Sequence, residues 1–553
     1  MTDRLLYLPL GGAGEIGMNC YVYGYGPAGK ERYIVVDLGV TFPNMDGSPG
    51  VDLIFADVAW LVERKDRIDA IFITHAHEDH VGAVGHLWPR LGAPIYARAF
   101  TAHLARLKFE EHGHDELQIK TVGKWPEQTK VGKFSVGFLP VSHSIPESSA
   151  LVIDTPAGRV IHTGDFKIDE TPVVGEAFDR ALWESVCKDG VKALVCDSTN
   201  VFTDKPGRSE SEVIEPINEL VASLDGMIAA TTFASNIARV KTLAEAGANA
   251  GRSVVLLGRA MRRMVTAGIE TGIIKDFPKT ISPEHAADIP RESLMLLTTG
   301  SQGEYRAATA QLSRGKYLGL KMAEGDTVIF SSKTIPGNEV PVAQILNNFS
   351  ELGVDTISGR DDIHVSGHAN RPDLAFMHEV VKPQIVVPMH GEHRHLRAHA
   401  KLAKENGLQS IVAPNGVGVD LSGKAPKVVE YVETGRTYLD GSVQIGALDG
   451  IVRDRIRLAR NGIIVATVIV EDDEPLGDCW CELRGLPEVG LSRAPLVDVI
   501  EEDVNQFLQR ANRKTMSDDD KLEESMRRII RKTAQEEIGK KPEVQIVISR
   551  LTS

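Results

Sequence analysis

Six consecutive residues, His75-Ala76-His77-Glu78-Asp79-His80, put three imidazoles and the Asp79 carboxylate on one short loop. The loop follows an apolar run, Ile71 to Thr74, that reads as a strand, so these groups can converge from a strand end without a helix. Imidazole nitrogen and carboxylate oxygen suit Zn²⁺ or Mn²⁺, and four such groups exceed what one tetrahedral ion takes from a single loop. Two ions are therefore implied. Further donors stand in comparable places: His143 after a strand ending at Val141, Asp165 after Val160 to Thr163, and His390 after Val386 to Met389. Each falls at the carboxyl end of an expected strand, the edge where open α/β sheets place their sites. The other histidines, among them His86, His103, His112, His114, His162, His393, His395 and His399, lack this setting and read as surface or structural.

Phosphate-binding character shows in three further segments. Gly300-Ser301-Gln302-Gly303 and Ser331-Ser332-Lys333-Thr334 end strands with small residues and hydroxyls, which lets backbone amides approach phosphate oxygens. In His364-Val365-Ser366-Gly367-His368 two imidazoles flank a serine and a glycine, a composition able to hold a phosphate through charge-assisted and backbone donors. Arg259, Arg262, Arg263, Arg306 and Lys333 could line a local groove. The formal net charge of −14 excludes an indiscriminately basic nucleic-acid binder, because phosphates must be neutralised where the strand lies. No G-x-S-x-G or catalytic-cysteine motif offers a side-chain nucleophile.

These residues are carried by a chain of 553 residues, too long for one core to be the default. Short apolar runs such as Tyr33 to Asp37, Phe134 to Val141 and Ala193 to Asp197 read as strands of a layered α/β domain over residues 1–205. Between about 206 and 362, strands are regularly followed by helical stretches, the mark of a parallel sheet of its own. The strand Gln384 to Met389 resembles the first region, so 206–362 reads as an insert and 363–450 as the returning half of the first domain. From 451 to 553 a small α+β domain is expected, with apolar helix stripes (Leu496, Val499, Ile500, Val504; Leu522, Met526, Ile529, Ile530) and Ser517 as an N-cap. The five cysteines form no C-x-x-C pair, and neither a secretory leader nor an apolar run long enough to span a membrane is evident. A cytoplasmic, membrane-free chain is expected.

The order H-x-H-x-D-H, lone His, lone Asp, final His resembles the metallo-β-lactamase superfamily. The resemblance implies one ion on His75, His77 and His143, a second on Asp79, His80 and His390, and Asp165 bridging both. Two such ions can lower the pKa of a shared water and neutralise charge developing on a phosphodiester. Asp165 and His390 lie 225 positions apart, and the interruption between them is similar to the β-CASP insert of nucleic-acid-processing members. Asp197 in Leu194-Val195-Cys196-Asp197-Ser198-Thr199-Asn200 and His368 match two of its typical marks. Over nearly the whole chain the sequence resembles the ribonuclease J family, including the Leu10-to-Asn19 opening and the loops at 231–236, 300–304 and 331–339.

The implied fold is α/β: a metallo-β-lactamase αββα sandwich interrupted by a β-CASP α/β domain, plus the small α+β C-terminal domain. The implied activity is hydrolysis of RNA, 5′-to-3′ from a 5′-monophosphate end and also internally, in rRNA processing and mRNA decay. Zinc is the implied metal, with manganese or magnesium as alternatives. Single-stranded RNA is the implied partner, with a homodimer or homotetramer formed through 451–553. Asp79, Asp197 and His368 take catalytic roles in this reading, with Asp197 orienting His368 or water, or protonating the leaving oxygen. His364, Val365, Ser366, Gly367 and His368, together with Ser331, bind substrate. One departure is Ala238, where the family pattern carries a basic or histidine side chain. A lactonase-type hydrolase would have no use for the insert, and a non-catalytic RNA-binding scaffold would have lost ligands. A β-CASP DNA nuclease is the nearest rival.

Overall fold

Strand Asp3–Gly11 is apolar on both faces, and Leu5 to Leu8 are fully buried, so it lies inside a layered structure. The computed structural model describes residues 3–551. Asp3–Gly11 pairs antiparallel with Cys20–Pro27, the second strand continues to Arg32–Val36, and a parallel step leads to Ile68–Phe72 within an eight-stranded sheet. A seven-stranded sheet stacks on it. One continuous core joins them: Tyr7, Tyr21, Tyr23, Val36 and Phe72 from the first sheet meet Phe138, Leu151, Val160, Val195 and Met389 from the second. Helices cover the outer face of the second sheet, where Trp183, Leu374, Met377 and Leu402 pack on Val152, Ile161 and Leu194. This is the αββα sandwich.

The second sheet sets the register that matters for function. Ala193–Asp197 lies parallel to Gly158–His162 on one side and to Ile385–Met389 on the other. His162 is level with Val195, and Asp197 is level with Met389. Three loops carrying Asp165, Asp197 and His390 therefore leave one edge together, although more than 160 residues of chain separate the last two strands. The intervening insert folds around a six-stranded, all-parallel sheet centred on Leu294–Thr298 and Ile228–Thr231. Apolar clusters cover both of its faces, as parallel sheets require. Next to the His75–His80 loop, Ala76, Phe100 and Ile145 pack against Ile237, Ala267 and Ile274 of the insert.

The chain divides into two compact units: residues up to 41 with 55–436, and residues 42–54 with the chain from 437 on. In the second unit, Ile463–Glu471 pairs with Trp480–Arg484 and with Glu543–Leu551, and helices Leu496–Arg510 and Asp519–Ile538 bury their apolar stripes against it. The cap of the last helix is Asp518, one residue beyond the expected Ser517. Asp518 holds extended backbone and accepts from the Lys521 amide, whereas Ser517 is helical and closes the preceding turn Arg513–Met516. Among the described residues no helix is long and apolar enough to cross a membrane.

Candidate metal centre and its surroundings

All seven residues expected as ligands meet at the shared strand edge. Ligand atoms of His75, His77, His143 and Asp165 lie within 4.8 Å of one another, as do those of Asp79, His80, Asp165 and His390. Asp165 belongs to both groups and is nearly fully buried. Its Oδ2 stands 3.2 Å from His80 Nε2 and 3.9 Å from the Nε2 atoms of His75 and His143, while Oδ1 contacts His390 Nδ1. His143 Nε2 and His77 Nδ1 are 3.0 Å apart. His390 follows its strand with φ of +47°, a left-handed conformation that non-glycine residues adopt at a cost and that is often found at functional sites.

Hydrogen bonds behind the donors fix which ring nitrogen is available. His75 Nδ1 donates to Thr74 Oγ1, and that hydroxyl donates to Asp37 Oδ2. The Nε2 of His75 is left buried without a hydrogen-bond partner, as expected of a nitrogen whose lone pair is meant for an ion. His80 Nδ1 donates to Asp37 at 2.7 Å, and His143 Nδ1 donates to the Gly367 carbonyl at 2.5 Å. Asn19 Nδ2 donates to the Asp79 carbonyl and contacts His80 Nε2, and its Oδ1 accepts from the Tyr21 hydroxyl. This donor set, nitrogen and carboxylate oxygen with ring tautomers already selected, fits two divalent ions.

Electrostatically the two halves differ. Burial, reinforced by neighbouring imidazoles, holds His75 and His143 well below the ordinary histidine range, and burial pushes His77 down to about 4. These three are neutral and ready to ligate. On the other side burial also opposes charge on His80 and His390, but Asp165, Asp79 and Asp37 outweigh it for His80, and Asp165 and Asp79 raise His390 to about 10. Asp165 is itself held low, its burial outweighed by His390 and His80.

A third group joins the edge. Asp197, His368 and His390 gather with Asp165. Asp197 Oδ2 accepts from His368 Nδ1 at 2.8 Å, and Oδ1 accepts from the Thr199 amide and hydroxyl. Burial lowers His368, but the Asp197 carboxylate more than compensates and its pKa is raised. Thr199 Oγ1 also contacts the His390 carbonyl at 3.2 Å, and Asn200 Nδ2 donates to Ser366 Oγ at 2.7 Å. A Cβ on Gly367 would lie 2.7 Å from Ser144 Oγ and 3.0 Å from His143 Cε1, so only glycine lets this segment press against the ligands.

The His364–His368 segment begins at the insert's buried charge. Arg239 is fully buried, pairs with Glu210 at 2.6 Å, and donates to Ser331 Oγ and to the carbonyls of Ser331 and Ile363. Arg259, Arg262, Arg263, Arg306 and Lys333 are all exposed, and Arg263 pairs with Glu111. Sequence reasoning missed Asp37, Asn19, Thr74 and Arg239. Only Asp37 carried a signal, an acidic residue at the end of an expected strand like the others.

Sandwich, strand-edge donors and parallel insert together define a metallo-β-lactamase-type, metal-dependent hydrolase. Comparison with known proteins narrows the class. Residues 13–193 match the metallo-beta-lactamase superfamily, 225–349 the ribonuclease J beta-CASP domain, 356–414 the Zn-dependent metallo-hydrolase RNA specificity domain, and 450–551 the ribonuclease J C-terminal domain. Ribonuclease J of Sinorhizobium meliloti is 40% identical over 99% of this chain and 98% of its own. Ribonuclease J of Mycolicibacterium smegmatis is 34% identical over 96% and 95%. A crystal structure of a protein of unknown function from Enterococcus faecalis V583 covers 75% of the chain with a TM-score of 0.52 at 17% identity, a likeness of fold alone. The chain belongs to the ribonuclease J family. It is a metal-dependent ribonuclease that binds RNA and uses divalent metal.

Proposed function

We propose that the enzyme removes nucleotides from the 5′ end of single-stranded RNA bearing a 5′ monophosphate, and also cuts internally, in rRNA processing and mRNA decay in the cytoplasm. One observation carries this reading: the His364–His368 segment runs from the buried Arg239 and Ser331 to the metal cluster. A 5′ phosphate held along His364, Val365, Ser366 and Gly367, with Ser331 behind them, would lead the strand into the cluster from its 5′ end. The half-buried His364, Ser366, Gly367 and His368 leave donors within reach of substrate.

In this reading His75, His77 and His143 hold one ion, Asp79, His80 and His390 the other, and Asp165 serves both. Zinc suits the imidazole-rich donor set best, with manganese or magnesium as alternatives. When bound, the ions supply Lewis acidity and a nucleophilic water near neutral pH. The protein's own part is positional. Asp197 accepts from His368 Nδ1 and favours the protonated imidazolium, so that Nε2–H can donate to the scissile phosphate as negative charge builds there. Asp79 and Asp37 fix His80 and His390 around Asp165.

The domain limits that go with this reading are 1–205 and 363–450 for the hydrolase, 206–362 for the insert and 451–553 for self-association as dimer or tetramer. An exposed apolar row supports the last. On the strand face opposite the C-terminal core, Trp480 and Val547 flank Thr467 in register, with Ile469 alongside, and all three apolar side chains are exposed.

Cleavage of one 3′-labelled RNA carrying a 5′ monophosphate or triphosphate, beside the same sequence as DNA, tests the reading. Stepwise shortening of the monophosphorylated RNA alone is expected, and is lost in His77→Ala/Asp79→Ala. Equal attack on DNA, or RNA cut only internally with no stepwise shortening from the monophosphorylated end, would refute it.

A further inference from the structure

The residue after Asp197 is Ser198, fully buried, and its hydroxyl opens a hydrogen-bonded chain on the far side of the site. His399 Nδ1 is 2.9 Å from Ser198 Oγ, His399 Nε2 is 3.1 Å from His378 Nε2, and His378 Nδ1 is 3.1 Å from Asn406 Nδ2. Both imidazoles are buried and uncharged, burial pushing His378 down to about 4 and His399 well below the ordinary range. The Asn406 amide donates to His378 Nδ1, which makes His378 Nε2 the donor and His399 Nε2 the acceptor. His399 then carries its proton on Nδ1 and gives it to Ser198, whose own hydroxyl donates to the Cys196 carbonyl. Each donor of His378, His399 and Ser198 is used once, in one direction.

Each link sits on a segment that carries a residue of the site. Ser198 follows Asp197 at the end of Ala193–Asp197. His378 lies on helix Arg371–Val381, which begins just after His368, and His399 lies on helix His393–Glu405, which begins just after His390. Thr199 and Asn200 tie the same three segments on the side facing the ligands. Ser198, His399 and His378 are buried neutral groups whose donors are matched, anchored at the surface end by the exposed Asn406 amide, so they can hold the strand end that carries Asp197 at fixed distance from His368.

We propose that Ser198, His399 and His378 are positioning residues for the Asp197–His368 pair, acting through the Ser198 hydroxyl. The inference rests on the reading that Asp197 and His368 take part in cleavage. Asparagine and glutamine separate the two halves of the His399 ring. His399→Asn keeps a donor near the Nδ1 position and so keeps the link to Ser198, whereas His399→Gln keeps a polar group near Nε2 and loses it.

The test uses the full-length, metal-loaded enzyme on a 5′-monophosphorylated RNA, measuring kcat, KM, ion content and thermal midpoint. His399→Gln and Ser198→Ala are each expected to lower kcat by on the order of 10- to 100-fold, the size of a misplaced catalytic group. KM and ion content stay unchanged, while His399→Asn and Ser198→Thr retain most of kcat. Combining Ser198→Ala with His399→Gln costs no more than the worse single change, as coupled residues should. Equal losses for Asn and Gln, or losses that only follow the folded fraction, overturn the inference. Should His399→Gln fail to fold, the Ser198→Ala and Ser198→Thr pair carries the same contrast. Asp197→Asn is the separate check: unchanged kcat there refutes the catalytic reading itself, whereas a collapse there with normal Ser198→Ala and His399→Gln refutes only the positioning chain.

Discussion

Asp37 illustrates how a residue that touches no substrate can govern the centre. Its carboxylate accepts hydrogen bonds from His80 Nδ1 and from the Thr74 hydroxyl that orients His75, so it sets one ring on each side of Asp165. Asp37→Asn puts a donor where an acceptor is needed. Ion affinity measured by calorimetry should fall by about 10- to 100-fold with the fold retained, the usual effect of removing a partner behind a metal ligand; unchanged affinity would contradict the role. Arg239 invites a second test. It is buried against Glu210, and removing one member of a buried pair strands the other. Arg239→Met should cost about 3–5 kcal/mol in chemical denaturation, and a loss near zero would mean that the pair is solvated. At this scale the convergence of donors was legible because His75, His77, Asp79 and His80 crowd one loop. Asp37 and Asn19 were not, since a lone Asp or Asn acquires meaning only from partners that folding brings. Ala238 departs from the family pattern, while the cation, Arg239, lies one residue on, facing inward.

Elements act on the centre through their ends. The turn after Arg32–Val36 passes so close to the ligand loop that a Cβ on Gly39 would lie 1.6 Å from the Asp79 carbonyl oxygen and 2.8 Å from the Asn19 amide nitrogen. All of these are backbone atoms, so the loop must move if Gly39 gains a side chain. Gly39→Ala should lower kcat/KM on the order of 100-fold, the cost of displacing catalytic groups by about an ångström, together with ion content. Wild-type values for both would show that the turn yields instead. Strand ends carrying His143, Asp165 and His390 were readable from apolar runs that stop at a polar residue. Their order within the sheet was not, because the parallel pairing of Asp197 with Met389 is decided by tertiary packing across the whole insert. The shift of the last helix cap from Ser517 to Asp518 has a local cause: both residue types cap well, and backbone conformation chose between them.

For the whole molecule, burial of neutral histidines ties stability to pH. His378 is depressed to about 4, and His364, half-buried beside Arg239, to about 3. Unfolded, both would titrate near the ordinary histidine value of about 6.5. Between those limits the unfolded chain binds more protons, so stability is full above about pH 6.5 and declines as pH falls toward 4. His378→Gln should flatten that decline in thermal melts across this window, and an unaltered slope would remove His378 as a contributor. The insert was legible at this scale from the long gap between Asp165 and His390 and the switch to βα alternation. The split at 436–437, with residues 42–54 joining the C-terminal unit, was not, because a short early segment gives no sign that its partners lie far along the chain.

If one strand-edge cluster holds two ions and hydrolyses RNA, bound-ion count and RNA cleavage must fall together when its residues are changed. Native mass spectrometry of the zinc-loaded wild type should find two ions per chain. Asp79→Ala/His390→Ala should retain one, and Asp165→Ala should lose tight binding of both, each with cleavage abolished. Two ions and undiminished cleavage in Asp165→Ala would mean that Asp165 does not serve both ions.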